Sequence, residues 1–131
     1  MLYNKIMEAD ELIRAYFSAW EQHKFAPAEK YFTADIKYRE CYGPVYEGLE
    51  EVQLWMNKMK ERQVVLAWKI KRILPVNDSI RVVEWYFHAR EDSEYDFDGV
   101  SIIEFEHGKM KKVSEYEAKH QTYRPLKPLT D

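Results

Sequence analysis

Cysteine and glycine are scarce in this chain: there is one cysteine, Cys41, and only four glycines, none of them clustered. A lone cysteine excludes an intrachain disulfide and fits a reducing compartment. Scattered glycines exclude the Gly-rich loop that cradles phosphates. The four histidines, His23, His88, His107 and His120, include no pair at metal-ligand spacing with an acid between them, so neither a metal site nor a cofactor is expected. Net charge is −3 with no long basic run, which argues against a nucleic-acid surface. No apolar run approaches the roughly 18 residues a membrane span requires. The N-terminus turns polar and acidic by Asp10, unlike a secretory signal, so a cytoplasmic location is expected. No serine stands at a strand-to-helix elbow; Ser101 lies between Val100 and Ile102 inside a strand pattern.

What the chain does have is aromatic mass. Ten tyrosines and four tryptophans bring aromatic content to 15%, against an ordinary 46% hydrophobic and 33% charged. Aromatics bury large areas, and Tyr and Trp add a polar handle, so this composition suits a lined cavity or a dimer interface as well as a plain core. At 131 residues the chain supports one domain, 1–131, with a loose Pro-containing tail over 123–131.

The pattern is helical first and extended later, an α+β arrangement. Leu12, Tyr16 and Trp20 recur at four-residue spacing beside Ile13 and Phe17, predicting a helix over about Asn4 to His23. Pro27 suits the first turn of a short second helix ending near Phe32. Ile36 to Cys41 alternates as a strand, and Gly43-Pro44 breaks the chain. Leu49, Val52, Met56 and Met59, flanked by Trp55, mark a helix from about Gly48 to Arg62. Four β segments follow: Val64–Leu74, Ile80–Ala89, Tyr95–Glu106 and Lys109–Gln121.

Two-residue turns at Asn77-Asp78, Asp92-Ser93 and His107-Gly108 would fix the register. Trp68 then faces Phe87, Ile70 faces Trp85 and Lys71 faces Glu84. Across the middle hairpin Trp85 faces Val100 and Phe87 faces Asp98. Across the last, Val100 faces Glu115 and Asp98 faces Glu117. On this register one face carries Trp68, Trp85, Phe87, Val100, Ile102 and Val113, with Asp98, Glu115 and Glu117 toward one end, and it packs on the helices. The other carries Tyr86, His88, Phe97, Ser101, Ile103, Phe105 and Tyr116 and suits a second sheet in a homodimer. An odd number of residues in the Glu91–Glu94 loop would swap the faces of one hairpin.

Asp98 is the first candidate for chemistry, because apolar neighbours and a facing acid both raise a carboxyl toward the range of a useful acid or base. Glu115 and Tyr16 complete the candidate catalytic set, since a tyrosine hydroxyl can hydrogen-bond a substrate carbonyl or developing oxyanion. Trp20, Tyr38, Glu40, Trp68, Trp85, Phe87, Val100 and Glu117 are candidate substrate contacts. Bland readings stand beside these. Asp-Gly in a strand is often a bulge or strand-end device. Glu115 and Glu117 also suit a solvated strand end, and Tyr16 and the tryptophans suit a core.

The element order, the Gly48-Leu49-Glu50-Glu51-Val52 opening of the third helix, and Phe97-Asp98-Gly99-Val100-Ser101 before Gly108-Lys109-Met110 resemble a SnoaL-like domain of the nuclear transport factor 2-like superfamily. The resemblance covers about Lys5 to Gln121. It implies a cone of curved antiparallel sheet wrapped around the N-terminal helices (a cystatin-like roll), a pocket at the open end, and dimers packed through the sheet. Members include isomerases, dehydratases, epoxide hydrolases, polyketide cyclases and binding modules. SnoaL-like enzymes often carry Tyr-x-Asp on the last strand; here Tyr116 is followed by Glu117 and Ala118. The expected function is binding of a small, largely apolar molecule between sheet and helices, with cofactor-free acid/base chemistry of isomerase, dehydratase or hydrolase type left open. The alternative is a non-catalytic dimeric ligand- or protein-interaction module.

Overall fold

Helix α1 (Leu2–Glu21) begins the chain in the computed structural model, which describes residues 2–128. Its apolar stripe buries Ile13, Tyr16, Phe17 and Trp20 while Glu11 and Arg14 face solvent. Each fully buried side chain of this size contributes about 1.5–3 kcal/mol. The helix stops without a glycine. His23 takes a left-handed φ of 59°. Its N–H bonds the Trp20 carbonyl at 3.2 Å, and the Lys24 N–H bonds the Ala19 carbonyl at 3.0 Å, which satisfies the last orphan carbonyls. The expected second helix is a single 3-10 turn, Ala28–Lys30.

Strand β1 (Phe32–Arg39) follows, then a short strand that the sequence pattern did not announce, β2 (Val45–Glu47). They close through the turn at Glu40–Gly43, where Gly43 has a φ of +113° and its N–H reaches the Glu40 carbonyl at 3.0 Å. Helix α2 (Gly48–Arg62) buries Val52, Trp55, Met56 and Met59. Its acidic first turn and basic last turn both complement the helix dipole. Four long strands complete the chain: β3 (Val64–Pro75), β4 (Ile80–Arg90), β5 (Glu94–Glu106) and β6 (Lys109–Ala118). The sheet order is β2-β1-β6-β5-β4-β3, antiparallel throughout except for the parallel pair β1 and β6. The curved sheet wraps α1 and α2, as the α+β cone expectation requires.

The register departs from expectation by one residue within each hairpin, at the loop itself in the first two and, in the third, at a bulge beyond the two-residue His107-Gly108 turn, which forms as expected. The β3–β4 loop is three residues, closed by the Val76 N–H on the Ile80 carbonyl at 3.0 Å. A bulge at Lys71 compensates, so Trp68 still faces Phe87 and Ile70 still faces Trp85. The expected Lys71–Glu84 pair is replaced by an ion pair between Arg72 and Glu84. The β4–β5 loop also holds three residues, since Arg90 pairs with Glu94, and here nothing compensates. Trp85 therefore faces Gly99 rather than Val100, and Phe87 faces Phe97 rather than Asp98. Phe97, Ser101 and Ile103 turn into the core, while Asp98, Val100 and Ile102 turn out. A bulge at Lys111 then shifts β6 by one residue, which returns Val113 and Glu115 to the inner face, where both are buried.

Gly99 is explained by its neighbour. A Cβ there would lie 2.1 Å from the Trp85 ring, whose indole lies across the glycine and donates from Nε1 to Ser101 Oγ at 2.9 Å. The Asp-Gly pair is thus a seat for tryptophan rather than a turn or bulge. The described tail, 123–128, is exposed, with Leu126 at 94%.

Candidate functional site

The parallel pairing of β1 with β6 sets Tyr38 beside Val113 and Arg39 beside Ser114. Alternation then carries Tyr38 and Glu115 to the same inner face, with Glu40 just beyond the end of β1. Tyr38 Oη donates to Glu115 Oε2 at 2.6 Å, and Tyr16 Oη, from α1, donates to Tyr38 Oη at 2.9 Å. The chain of hydroxyls therefore ends on the carboxyl. Glu40 accepts from Tyr46 Oη at 2.8 Å.

Both acids are buried and both are pushed up. Desolvation, with the nearby Glu40 adding to it, raises Glu115 to about 8, against the pull of hydrogen bonds from Tyr38 and from the Cys41 backbone. Desolvation also raises Glu40, partly offset by the Tyr46 hydroxyl. The Tyr16 and Tyr38 hydroxyls are raised well above the usual phenol value, first by burial and then by the Glu115 charge. Near neutral pH Glu115 keeps its proton.

Glu115, Tyr38 and Glu40 border a half-open cavity of about 30 Å³. A cavity needs roughly 10–15 Å³ to hold a water, so the space takes a small group at most without movement. All four tryptophans line it: Trp20, Trp55, Trp68 and Trp85. Tyr38 and Trp55 lie 4.7 Å apart between ring centres, and Trp68 meets Trp85 edge-on at 5.7 Å. The Trp55 indole lies against the Glu40 carboxyl and the Trp20 indole against the Tyr16 hydroxyl, both too loosely for a hydrogen bond; the buried Trp68 Nε1 also lacks a partner. Among the described residues no lysine, arginine or histidine lines the cavity. Glu40, Tyr42 and Met59 also border an outer cleft of about 430 Å³ that continues to Arg62, Glu91 and Tyr95.

Of the residues singled out from the sequence, Glu115, Glu40, Tyr38, Trp20, Trp68, Trp85 and Phe87 border the cavity. Tyr16 stands behind Tyr38 rather than on the wall. Three do not reach it. Asp98 lies on the outer face, with Lys71 Nζ at 3.1 Å and His120 Nδ1 at 2.8 Å. Burial nudges its carboxyl upward, but hydrogen bonds from His120 and Lys71 outweigh that and hold it below the usual value, the reverse of the expected shift. Val100 is half-buried on that same outer face, turned there by the three-residue β4–β5 loop. Glu117 is exposed near the end of β6.

Cys41, Tyr42, Trp55, Met59, Gln63 and Phe97 join the wall without having been singled out. Trp55 had a legible signal, its place beside the apolar stripe of α2. Tyr42 and Cys41 depend on the β1–β2 turn, and Phe97 on the loop parity of β4–β5. Among the described residues no group of three or more His, Cys, Asp or Glu side chains could hold a metal ion, and no helix is long and apolar enough to cross a membrane.

Residues 13–113 match the family model of the SnoaL-like domain. Among solved structures, a provisionally assigned isomerase from Bacillus subtilis superposes with a TM-score of 0.77 at 13% identity, covering 87% of this chain and 88% of that one. An LEH-like epoxide hydrolase from M. tuberculosis gives 0.75 at 17% identity, over 86% and 84%. An NTF-2 like protein of unknown function from Burkholderia xenovorans LB400 gives 0.74 at 16%, over 92% and 91%. At these identities the likeness establishes the fold alone. No curated protein matches the chain in sequence.

Proposed function

The chain belongs to the SnoaL-like domain family, and we propose that it binds a small, largely apolar molecule in the Glu115 cavity and moves a proton there. The observation that carries this reading is a buried carboxyl, raised to about 8, hydrogen-bonded to a buried tyrosine and walled by indoles. A carboxyl that titrates near ambient pH serves both directions of a proton transfer. Protonated, Glu115 donates to a leaving group, an epoxide oxygen or a carbonyl. Ionised, with its charge stabilised by the Tyr38 hydroxyl, it removes a proton and becomes neutral. Isomerisation, dehydration and epoxide opening all fit this equipment without a cofactor. Folds of this family host several of these reactions, so the choice among them rests on the ligand and not on the fold.

A second reading has its own support. Ile102 is 40% and Tyr116 48% exposed on the outer face of the sheet. Such a face suits a second copy of the chain, giving a homodimeric ligand- or protein-interaction module with no chemistry. The two readings separate on one substitution. Native mass spectrometry of freshly purified protein, followed by denaturation and small-molecule analysis, identifies any retained guest. Glu115→Gln is then expected to abolish turnover of that compound class while leaving the fold intact. A folded variant with full turnover sinks the proton-transfer role, and binding without turnover in both forms favours the module.

A further inference from the structure

We propose that the cavity's ligand is an organic cation, an ammonium centre held between Glu40 and Glu115 and caged by the surrounding indole faces. This rests on the reading of the cavity as a small-molecule site and adds the chemical class. The first ground is charge. Among the described residues the only charged side chains on the wall are two carboxyls; Arg62, whose charge reaches Glu40, stands outside it in the outer cleft. Each is already held to one tyrosine hydroxyl, Glu115 to Tyr38 and Glu40 to Tyr46. Those donors leave both acids raised. A cation gives an ionised Glu115 the counter-charge that the Tyr38 hydroxyl does not supply.

The second ground is the wall itself. All four tryptophans border the cavity, and an ammonium or methylated ammonium within about 6 Å of an aromatic centre is attracted by the ring quadrupole, most strongly by Trp and most when desolvated. An anion meets the same π faces and the same acids unfavourably. The third ground is access. Glu40, Tyr42 and Met59 belong both to the inner cavity and to the outer cleft of about 430 Å³. Once the wall widens to admit it, a head group can sit inside while its substituent extends past Tyr42, whose side chain is half exposed on the Glu40–Gly43 turn.

The exchange balances. The cation enters as the Glu115 proton leaves, so the net charge of the cavity is unchanged and one proton is released per ligand bound. Affinity must then rise with pH below about 8, approaching tenfold per pH unit, and level off above it.

Choline and its uncharged isostere 3,3-dimethylbutan-1-ol are the probes, titrated from pH 6 to 9 and read by tryptophan fluorescence and calorimetry. The expected result is that choline binds at least tenfold tighter than the alcohol at pH 8.5, that its affinity climbs with pH, and that calorimetry in buffers of different ionisation heat records proton release near neutral pH. Glu115→Gln is expected to flatten the climb; Glu40→Gln, should the first variant fold poorly, is expected to weaken choline several-fold and leave the alcohol unchanged. Equal or tighter binding of the alcohol at pH 8.5 overturns the cation while leaving a neutral small-molecule site standing. Failure of choline to bind at 100 mM, or a choline affinity flat in pH, also overturns it.

Discussion

Replacing Glu115 by glutamine should make the protein more stable at high pH and change little at low pH. The folded chain holds the Glu115 proton until about pH 8, whereas the unfolded chain releases it near the ordinary value of 4.5. Because the folded value is the raised one, the folded state binds more protons between those limits, and stability falls as pH rises through the window and is flat above it. At about 1.36 kcal/mol per pH unit, the whole gap amounts to roughly 5 kcal/mol. Between pH 5 and pH 9 the part that is traversed is about 4 kcal/mol. Relaxation and water entry relieve some of it, so a difference of about 2–4 kcal/mol is expected. Glutamine keeps the shape and an oxygen for the Tyr38 hydroxyl, but it does not ionise. Its amide faces the backbone hydrogen bond from Cys41 differently, which offsets the variant by a constant without changing its slope. Urea unfolding of both proteins at half-unit steps from pH 5 to 9, followed by tryptophan emission, measures this directly. Subtracting one profile from the other removes the groups that do not interact with Glu115, and leaves the coupling of Glu115 to Glu40 inside the difference. Parallel profiles, within about 0.5 kcal/mol across the range, would refute the buried, raised carboxyl and with it the chemical reading of the site.

Other substitutions test the surrounding geometry. Gly99→Ala places a methyl 2.1 Å from the Trp85 ring and should cost about 2–4 kcal/mol, seen as a lower urea midpoint and altered tryptophan emission; an unchanged midpoint would mean the ring lies elsewhere. Tyr38→Phe removes the donor to Glu115 and the acceptor of Tyr16, and should cost about 1–3 kcal/mol and move the Glu115 titration upward, measurable by carboxyl NMR. Asp98→Asn touches only an exposed pair of contacts and should change stability by less than about 1 kcal/mol with no effect on ligand affinity; a large loss of binding would contradict its outer-face position. Ile102→Asp should convert a dimer to monomer in sedimentation at micromolar concentration if the outer face joins two copies.

The helices were legible because their signals are redundant. Gly48–Arg62 is marked by an acidic start, a basic end and four apolar residues on one side, so an error at any one position leaves the assignment standing. The identities of β1 and the four long strands were legible for the same reason, whereas the three-residue β2 was not. Register was not, because it hangs on single residues that carry no hydrophobic signature. Asn77 illustrates this: its Oδ1 accepts from the Ser79 and Ile80 backbone N–H groups at 2.8 and 2.9 Å, which lengthens a turn that reads as two residues. The bulges at Lys71 and Lys111 are likewise single polar residues in amphipathic strands, compatible with either parity.

The consequence for chemistry is sharp because side chains alternate faces at every residue. The one uncompensated slip, in the Glu91–Ser93 loop, decides between Asp98 and its neighbours for the inner face. With a two-residue turn Asp98 would have stood among Phe87 and Trp85 and been the acid of the pocket. With three, Gly99 stands there, and the space an aspartate would have claimed belongs to the Trp85 ring. The slip at Lys111 then cancels the first for β6, which is why Glu115 reaches the cavity from a strand whose pairing with β5 was itself displaced. The acid of this site is therefore held in place not from β5 but by β1: the parallel strand brings Tyr38 alongside β6, and the 2.6 Å bond from Tyr38 ties the carboxyl to the one neighbour whose register no hairpin sets.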